Sequence, residues 1–203
     1  MYGGSEHRVD DQSLGDAEAV TRAVNGEAGA FDELARRYQR RAVGVAYRLV
    51  GDSHAAADIA QDAFVRAYRR LSSLKDPQRF APWLMRIVTN LSLNYRRSRQ
   101  ASAAVSLEAA AEGAEGFRRA SDAARWTSAP PSDGADAEDL SAAIEQGLGQ
   151  LPEKQRVALT LFSIEGIPQK EVARIMDCSV ELVKWNVFQA RKAMRKTLAG
   201  FMD

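Results

Sequence analysis

Apolar residues recur along most of this chain at three- and four-residue intervals, and strand-like alternation appears nowhere. Residues 1–12 are polar and predict a loose tail. From Ser13 the pattern is helical: Leu14, Ala17, Val20, Ala23 and Val24 share a face, until Gly26 and Gly29 interrupt it. Phe31, Leu34, Ala35, Tyr38, Ala42, Val45 and Leu49 then recur at helical spacing up to Gly51, a fitting stop. Ser53 is placed to cap a next helix whose inner face reads Ala57, Ala60, Phe64, Ala67, Tyr68 and Leu71. Pro77 and Pro82 bracket a loop or irregular turn, and Trp83, Ile87, Leu91 and Tyr95 form another stripe. The pattern then fails. Thirteen of the 39 positions from 101 to 139 are Ala, and "TSAPPSDGADAED" has a linker composition. Leu107 to Ala111 suggests transient helix without a core. Periodicity returns with Leu140, Ile144 and Leu148, then Pro152 at a first-turn position, then Val157, Leu159 and Leu161. The predicted fold is all-α: two small helical domains, residues 13–99 and 139–203, joined by a flexible acidic Ala-rich linker over 100–138.

The last part of the pattern is a pair of helices, roughly Gln169–Met176 and Val180–Leu198, separated by "DCS". Val172, Ala173, Ile175 and Met176 give the first a buried face. Asp177 tolerates a left-handed turn, Ser179 can cap the second helix, and Glu181 suits its N-terminal dipole. Val183, Val187, Ala190 and Met194 face inward, leaving Glu181, Lys184, Trp185, Phe188 and Gln189 on or near the outside, with Arg191, Lys192, Arg195 and Lys196 beyond. A tight turn before a longer, basic second helix fits a helix-turn-helix. Trp185 and Phe188 would suit thymine methyls or sugars, and Lys184 and Arg191 phosphates or guanine edges. The same pattern fits an ordinary helical hairpin with a solvated basic face, with Trp185 and Phe188 in its core.

Total charge does not separate these readings, with 28 basic residues against 27 acidic, but its distribution does. From Arg66 to Arg99 nine basic residues face one acid, Asp76, whereas 101 to 139 holds eight acids and three arginines. Such an asymmetry points to a polyanionic partner. The single cysteine, Cys178, excludes an internal disulfide and a cysteine zinc site, and His7 and His54 have no ligand-like companions, so no metal or cofactor is expected. No apolar run approaches membrane-spanning length, and the N-terminus lacks the order of a signal peptide, so no membrane association is expected and the location read is cytoplasmic. No additional sensing domain is expected after Leu198.

Three segments, "AADIAQDAFVRAYRRL" (56–71), "FAPWLMRIVTNLSLNYRR" (80–97) and "LPEKQRVALTLFSIEGIPQKEVARIMDCSVELVKWNVFQARKAMRK" (151–196), resemble the extracytoplasmic-function class of bacterial RNA polymerase sigma factors. The resemblance covers region two, about 13–99, and region four, about 139–200. It implies a non-catalytic subunit that binds core RNA polymerase and directs promoter recognition, melting and initiation. Asp58, Gln61, Asp62 and Arg66 match the helix that grips the clamp helices of the largest polymerase subunit; the spacing alone would favour a solvated polar face. Lys75 to Arg97 resembles the part that melts the minus-ten element and holds its single strand. Opening a duplex costs a few kcal/mol per extruded base, and capture needs rings and cations. Phe80, Trp83 and Tyr95 supply rings, and Lys75, Arg79, Arg86, Arg96 and Arg97 supply charge, with Asn90 for a base edge. Trp83 is expected to be mostly core; Asn90 and the Lys75–Phe80 loop are favoured for base contact.

Region four would bind the duplex minus-thirty-five element through Glu181, Lys184, Trp185, Phe188, Gln189 and Arg191. Here the chain departs from the family pattern, with Glu181, Leu182, Trp185, Asn186 and Gln189 where Gly, Thr, Ser, Arg and Arg are usual. Each bidentate Arg–guanine contact is worth about 1–3 kcal/mol of discrimination, so a different element is expected, with Gln189 pairing adenine and Trp185 packing on thymine methyls. The acidic linker is either a plain tether or a nucleic-acid mimic along the polymerase, and Cys178 is small packing at a turn. An anti-sigma protein is the further partner the resemblance admits.

A free-standing helix-turn-helix regulator would bind duplex unaided, usually as a dimer, and would leave "ADIAQDAF" and "WLMRIVTN" unexplained. An enzyme lacks support: there is no phosphate-binding Gly loop, no Cys/His pairing near a carboxylate and no metal-ligand spacing. Glu165 and Glu171 read as a helix surface and a capping turn.

Overall fold

The computed structural model describes the backbone of residues 6–111 and 135–201, and the side chains of 15–102 and 139–201. The helices are α1 (Glu6–Val24), α2 (Ala30–Val50), α3 (Ser53–Arg70), α4 (Phe80–Ala111), α5 (Ala135–Gln150), α6 (Glu153–Leu159), α7 (Gln169–Met176) and α8 (Val180–Thr197), and the described residues include no strand. Two expectations shift at the edges. Helix α1 begins at Glu6, inside the expected tail, and α4 and α5 extend into both ends of the expected linker, as its alanines favour. The linker's middle, 112–134, lies outside the described residues.

Local chemistry sets the helix ends. Gly51 closes α2 at φ 73°, and its amide donates to the Tyr47 carbonyl at 2.7 Å. Asp52, not Ser53, caps α3 by accepting from the Ala55 amide at 2.9 Å, which leaves Ser53 as the first helical residue. Pro152 precedes α6 instead of entering its first turn. Asp177 adopts the expected left-handed conformation, and Ser179 caps α8 by accepting from the Leu182 amide at 3.2 Å.

Helix α2 runs through the middle of the first domain, contributing Leu34, Tyr38, Val45 and Leu49 to a core shared with Leu84, Met85 and Val88 of α4. Helix α3 offers Ala56, Ile59, Ala60, Ala63 and Ala67. That face is turned from the expected one: Ala57 and Tyr68 are exposed. The small residues let α3 approach α2 closely, and the larger ring is left outside, where Tyr68 meets Phe31 edge-on at 5.1 Å. Asp16 of α1 is buried, accepting from Arg37 Nη1 at 2.5 Å and from the Tyr38 hydroxyl. Burial and that bond to Asp16 push the Tyr38 hydroxyl above the usual phenol range.

In the second domain Val157, Leu161, Val172, Val183 and Val187 form the centre, and Leu148, Leu151, Ala190 and Met194 a satellite cluster. Gly147 allows α5 to lie against α8, since a Cβ there would sit 2.9 Å from Met194 Sδ. The two domains pack on each other, α2 against α5 and α6 and α4 against α7, and one set of buried apolar residues runs through both. Arg156 lies buried between them and donates to the carbonyls of Leu151 at 2.9 Å, Gly149 at 3.3 Å and Leu49 at 3.4 Å. Burial, with Arg96 nearby, lowers its pKa from the usual guanidinium value.

Candidate polymerase and promoter interfaces

The exposed side of α3 carries Asp58, Gln61, Asp62 and Arg66 together. Asp62 and Arg66 pair at 2.9 Å across one helical turn, each about half exposed. Such a pair holds only about 0.3–0.5 kcal/mol, so an incoming partner can exchange it readily. Beside it, Arg36, Gln39, Val43, Gln61, Phe64 and Val65 line a shallow groove of about 570 Å³ between α2 and α3. A polar rim around a mostly apolar groove suits a protein partner.

The turn from α3 into α4 is set by Asp76, whose carboxylate accepts from the Gln78 amide at 3.1 Å at the start of a short turn over Pro77–Arg79. Lys75, Arg79, Trp83 and Arg86 line one side of a groove of about 350 Å³, and Glu171, Arg174 and Ile175 of α7 line the other. Arg79 is ion-paired with Glu171. Asn90 lies exposed one turn beyond Arg86, and Arg97 is exposed further along. Two expected members of this set stand elsewhere. Phe80 has no exposed surface, because its ring is packed against Tyr38 at 5.5 Å and Trp83 at 6.0 Å, so it builds the core and offers no face to a base. Arg96 is turned toward the domain interface, donating to the Leu49 carbonyl at 3.3 Å and lying 4.0 Å from Glu153, so its charge is directed away from the groove. Trp83 is half-buried against the core, with an edge on the groove.

On α8, Glu181, Lys184, Trp185 and Phe188 are exposed and Gln189 is half-buried. Trp185 and Phe188 keep 53% and 64% of their surface, which removes the reading that places them in the core. Leu182 is exposed beside them. Asn186, which stands where the family usually has arginine, is buried, and its Nδ2 donates to the Leu182 carbonyl at 2.8 Å. Arg191 is exposed but occupied: it donates to Ser163 Oγ at 3.0 Å, and its guanidinium lies 5.7 Å from the centre of the Phe162 ring. Cys178 sits half-buried in the turn, and burial pushes its thiol up, away from the reactive thiolate.

One carboxylate was misjudged from sequence. Glu165 is not a helix surface: its side chain is 6% exposed and meets Arg41 Nε at 2.7 Å and Arg48 Nη1 at 3.3 Å, both from α2. Arg41, Arg48 and Arg156 carried no local signal, because their partners lie about a hundred residues away or are backbone carbonyls. Among the described residues, no three His, Cys, Asp or Glu gather as a metal-binding group, and no helix is long and apolar enough to cross a membrane.

Residues 34–102 match the Sigma-70 region 2 family and residues 141–194 the Sigma-70, region 4 family. The chain is 36% identical over 183 residues to the RNA polymerase sigma-H factor of Pseudomonas aeruginosa, spanning 90% of this chain and 93% of that one. It is 34% identical over 183 residues to the ECF RNA polymerase sigma-E factor of Escherichia coli, spanning 90% and 94%. The chain belongs to the extracytoplasmic-function class of sigma factors. Among solved structures, CnrH in complex with the cytosolic domain of CnrY aligns at a TM-score of 0.64 and 26% identity, covering 92% of this chain and 98% of that one. The sigma factor RpoE of Bartonella quintana, solved with the anti-sigma factor NepR, shares the fold at a TM-score of 0.65 and 20% identity, covering 85% and 98%. As a sigma factor the protein is a regulatory transcription factor that binds core RNA polymerase and directs initiation at promoters.

Proposed function

We propose that this sigma factor engages polymerase through the α3 face of Asp58, Gln61, Asp62 and Arg66, and the minus-ten single strand through Lys75, Arg79, Trp83, Arg86, Asn90 and Arg97. It reads an A·T-rich minus-thirty-five element through α8. The observation that carries the last point is the outward face of α8: three exposed apolar side chains, Leu182, Trp185 and Phe188, and no arginine from 181 to 189. The guanidinium fork of arginine matches the two acceptors of a guanine edge, whereas the thymine C5-methyl calls for apolar contact. Gln189 suits adenine, Glu181 suits the cytosine amino group, and Lys184, Lys192, Arg195 and Lys196 suit the phosphates that fix register. The protein has no catalytic activity of its own and works in the cytoplasm. A protein of the anti-sigma kind is its further partner, a reading supported by the similar RpoE of Bartonella quintana, solved in complex with the anti-sigma factor NepR, and by CnrH, solved in complex with the cytosolic domain of CnrY.

The test is run-off transcription with bacterial core polymerase on a randomised promoter library, with and without the protein. Protein-dependent starts with thymine enriched in the upstream element are expected. Replacing those thymines by deoxyuridine removes only the methyl groups and should reduce initiation. Starts that ignore the deoxyuridine exchange would remove the methyl reading and leave the sigma assignment standing. The Asp62→Ala, Arg66→Ala double variant should lose starts through weaker polymerase binding, and unchanged affinity for core would remove that face from the interface.

A further inference from the structure

Asp16 is almost fully buried and has no part in the surfaces proposed above. One carboxylate oxygen accepts from Arg37 Nη1 at 2.5 Å and the other from the Tyr38 hydroxyl. Arg37 is itself held by Glu33 at 2.7 Å, so α2 presents a fixed pair of donors to α1. The Tyr38 ring meets Phe80 edge-on at 5.5 Å, and Phe80 meets Trp83 at 6.0 Å, with the rings inclined by 61° and 45°. Trp83 ends this series with an edge on the groove beside Lys75, Arg79 and Arg86. A continuous line of contacts therefore leads from a buried carboxylate of α1 to the groove.

The same helix supports the loop that carries the groove. Helix α1 packs against a short turn over Leu71–Ser73, against the Pro77–Arg79 turn and against α4. The Pro77–Arg79 turn is three residues long with one carboxylate cap, Asp76, and a helical turn so short does not hold its place alone. The choice of an acid for this support is informative. A buried pair of charges is a weak source of stability, because desolvation offsets most of the attraction and a well-packed apolar side chain would serve as well. An apolar side chain would not fix direction. A phenol bonded to a carboxylate holds its ring in one orientation, and in a close-packed core the orientation of one ring limits that of the next.

We infer that Asp16 is a positioning residue for promoter melting: through Tyr38 and Phe80 it sets where Trp83 and the Lys75–Arg79 segment stand, and so how well the groove captures the separated strand. The inference rests on assigning that groove to the minus-ten strand, and the test reads the two points separately. Two variants of the full chain break the bond from either end. Asp16→Asn removes the charge and keeps the shape; Tyr38→Phe removes one oxygen and leaves the ring and the Asp16–Arg37 pair in place. The position of Trp83 is read from the fluorine resonance of protein labelled with 5-fluorotryptophan, its signal assigned by its loss in Trp83→Phe. Melting is read as permanganate reactivity of the minus-ten thymines, in complex with core polymerase on a promoter taken from the run-off library. Both variants should shift the Trp83 resonance and lower thymine reactivity about tenfold, within the range that about an ångström of misplacement costs. Affinity for core polymerase should stay at the parent value, whereas a merely structural role predicts that it falls together with melting. An unmoved resonance in both variants, or parallel loss of core affinity and melting, overturns the positioning role. If Asp16→Asn unfolds the chain, Tyr38→Phe decides by the same readings. A shifted resonance with parent-like thymine reactivity keeps the ring series and overturns the assignment of the groove, and with it the role in melting.

Discussion

The two surfaces proposed to meet nucleic acid use their aromatic rings in opposite ways. At the minus-ten groove the rings face inward: Phe80 is enclosed and Trp83 half-buried, and the cations Lys75, Arg79 and Arg86 form the lining. On α8 the rings face outward, and the helix is held from behind by Val183, Val187, Ala190 and Met194. A ring used as a wall contributes stability and holds a turn in shape. A ring left in water contributes little to the fold and remains available to a partner, in keeping with the enrichment of Trp at binding hot spots. Aromatic residues near a basic stretch therefore do not mark base contacts by themselves; burial decides which of the two roles they have.

The sharpest way to break the contrast is Phe80→Ala. Emptying that fully enclosed site should cost about 3–5 kcal/mol of stability, read by denaturant unfolding of the whole chain. A loss below about 1 kcal/mol would mean that the ring is not a structural wall. Next comes the paired change Trp185→Ala and Phe188→Ala. Stability should move by no more than about 0.5 kcal/mol for each, as for exposed positions, while the preference for thymine over deoxyuridine in the upstream element disappears. Unfolding on either change would return these rings to the core. The smallest effect concerns the domain interface. The Tyr47 hydroxyl donates to Glu145 at 3.0 Å, and burial together with that bond pushes its pKa up to about 12. A free phenol titrates near about 10, so the separated form ionises first. The stabilisation is complete below about pH 10 and is lost as pH rises toward 12. It is worth about 1 kcal/mol at most, because Tyr47 is only half-buried. Scattering from pH 9 to 12 should show the parent opening more steeply than Tyr47→Phe, and identical curves would remove Tyr47 from the contact.

What the sequence made legible follows the range of the forces involved. The stop at Gly51, the left-handed Asp177, the Ser179 cap and the inward Val183–Val187–Ala190–Met194 stripe depend on neighbours a few residues away, and each stands as read. Of the expected inner face of α3, Ala60, Ala67 and Leu71 are buried as read while Ala57 and Tyr68 are exposed, because a helix of many alanines presents several small-residue faces and only the approach to α2 selects one. The burial of Asn186 carries no sequence signal, because its bond to the Leu182 carbonyl stays within its own helix and leaves no mark on spacing. Arg96 and Glu165 were misplaced for a plainer reason. Their partners lie far along the chain, Leu49 47 residues from Arg96 within the first domain and Arg41 124 residues from Glu165 across the domain contact.

The widened turn at Thr160–Ile164 carries one more residue than an α-helical turn needs. Successive residues of an α-helix are rotated by about 100°. Loss of Ser163 or Ile164, both exposed, would restore the α-helical count, and because an i→i+5 turn and an i→i+4 turn each bring the closing residue back over the starting one, Glu165 would keep its bearing toward Arg41 and Arg48. The exposed part of this turn is thus a place where the chain can lose one residue while the second domain keeps its face toward the first.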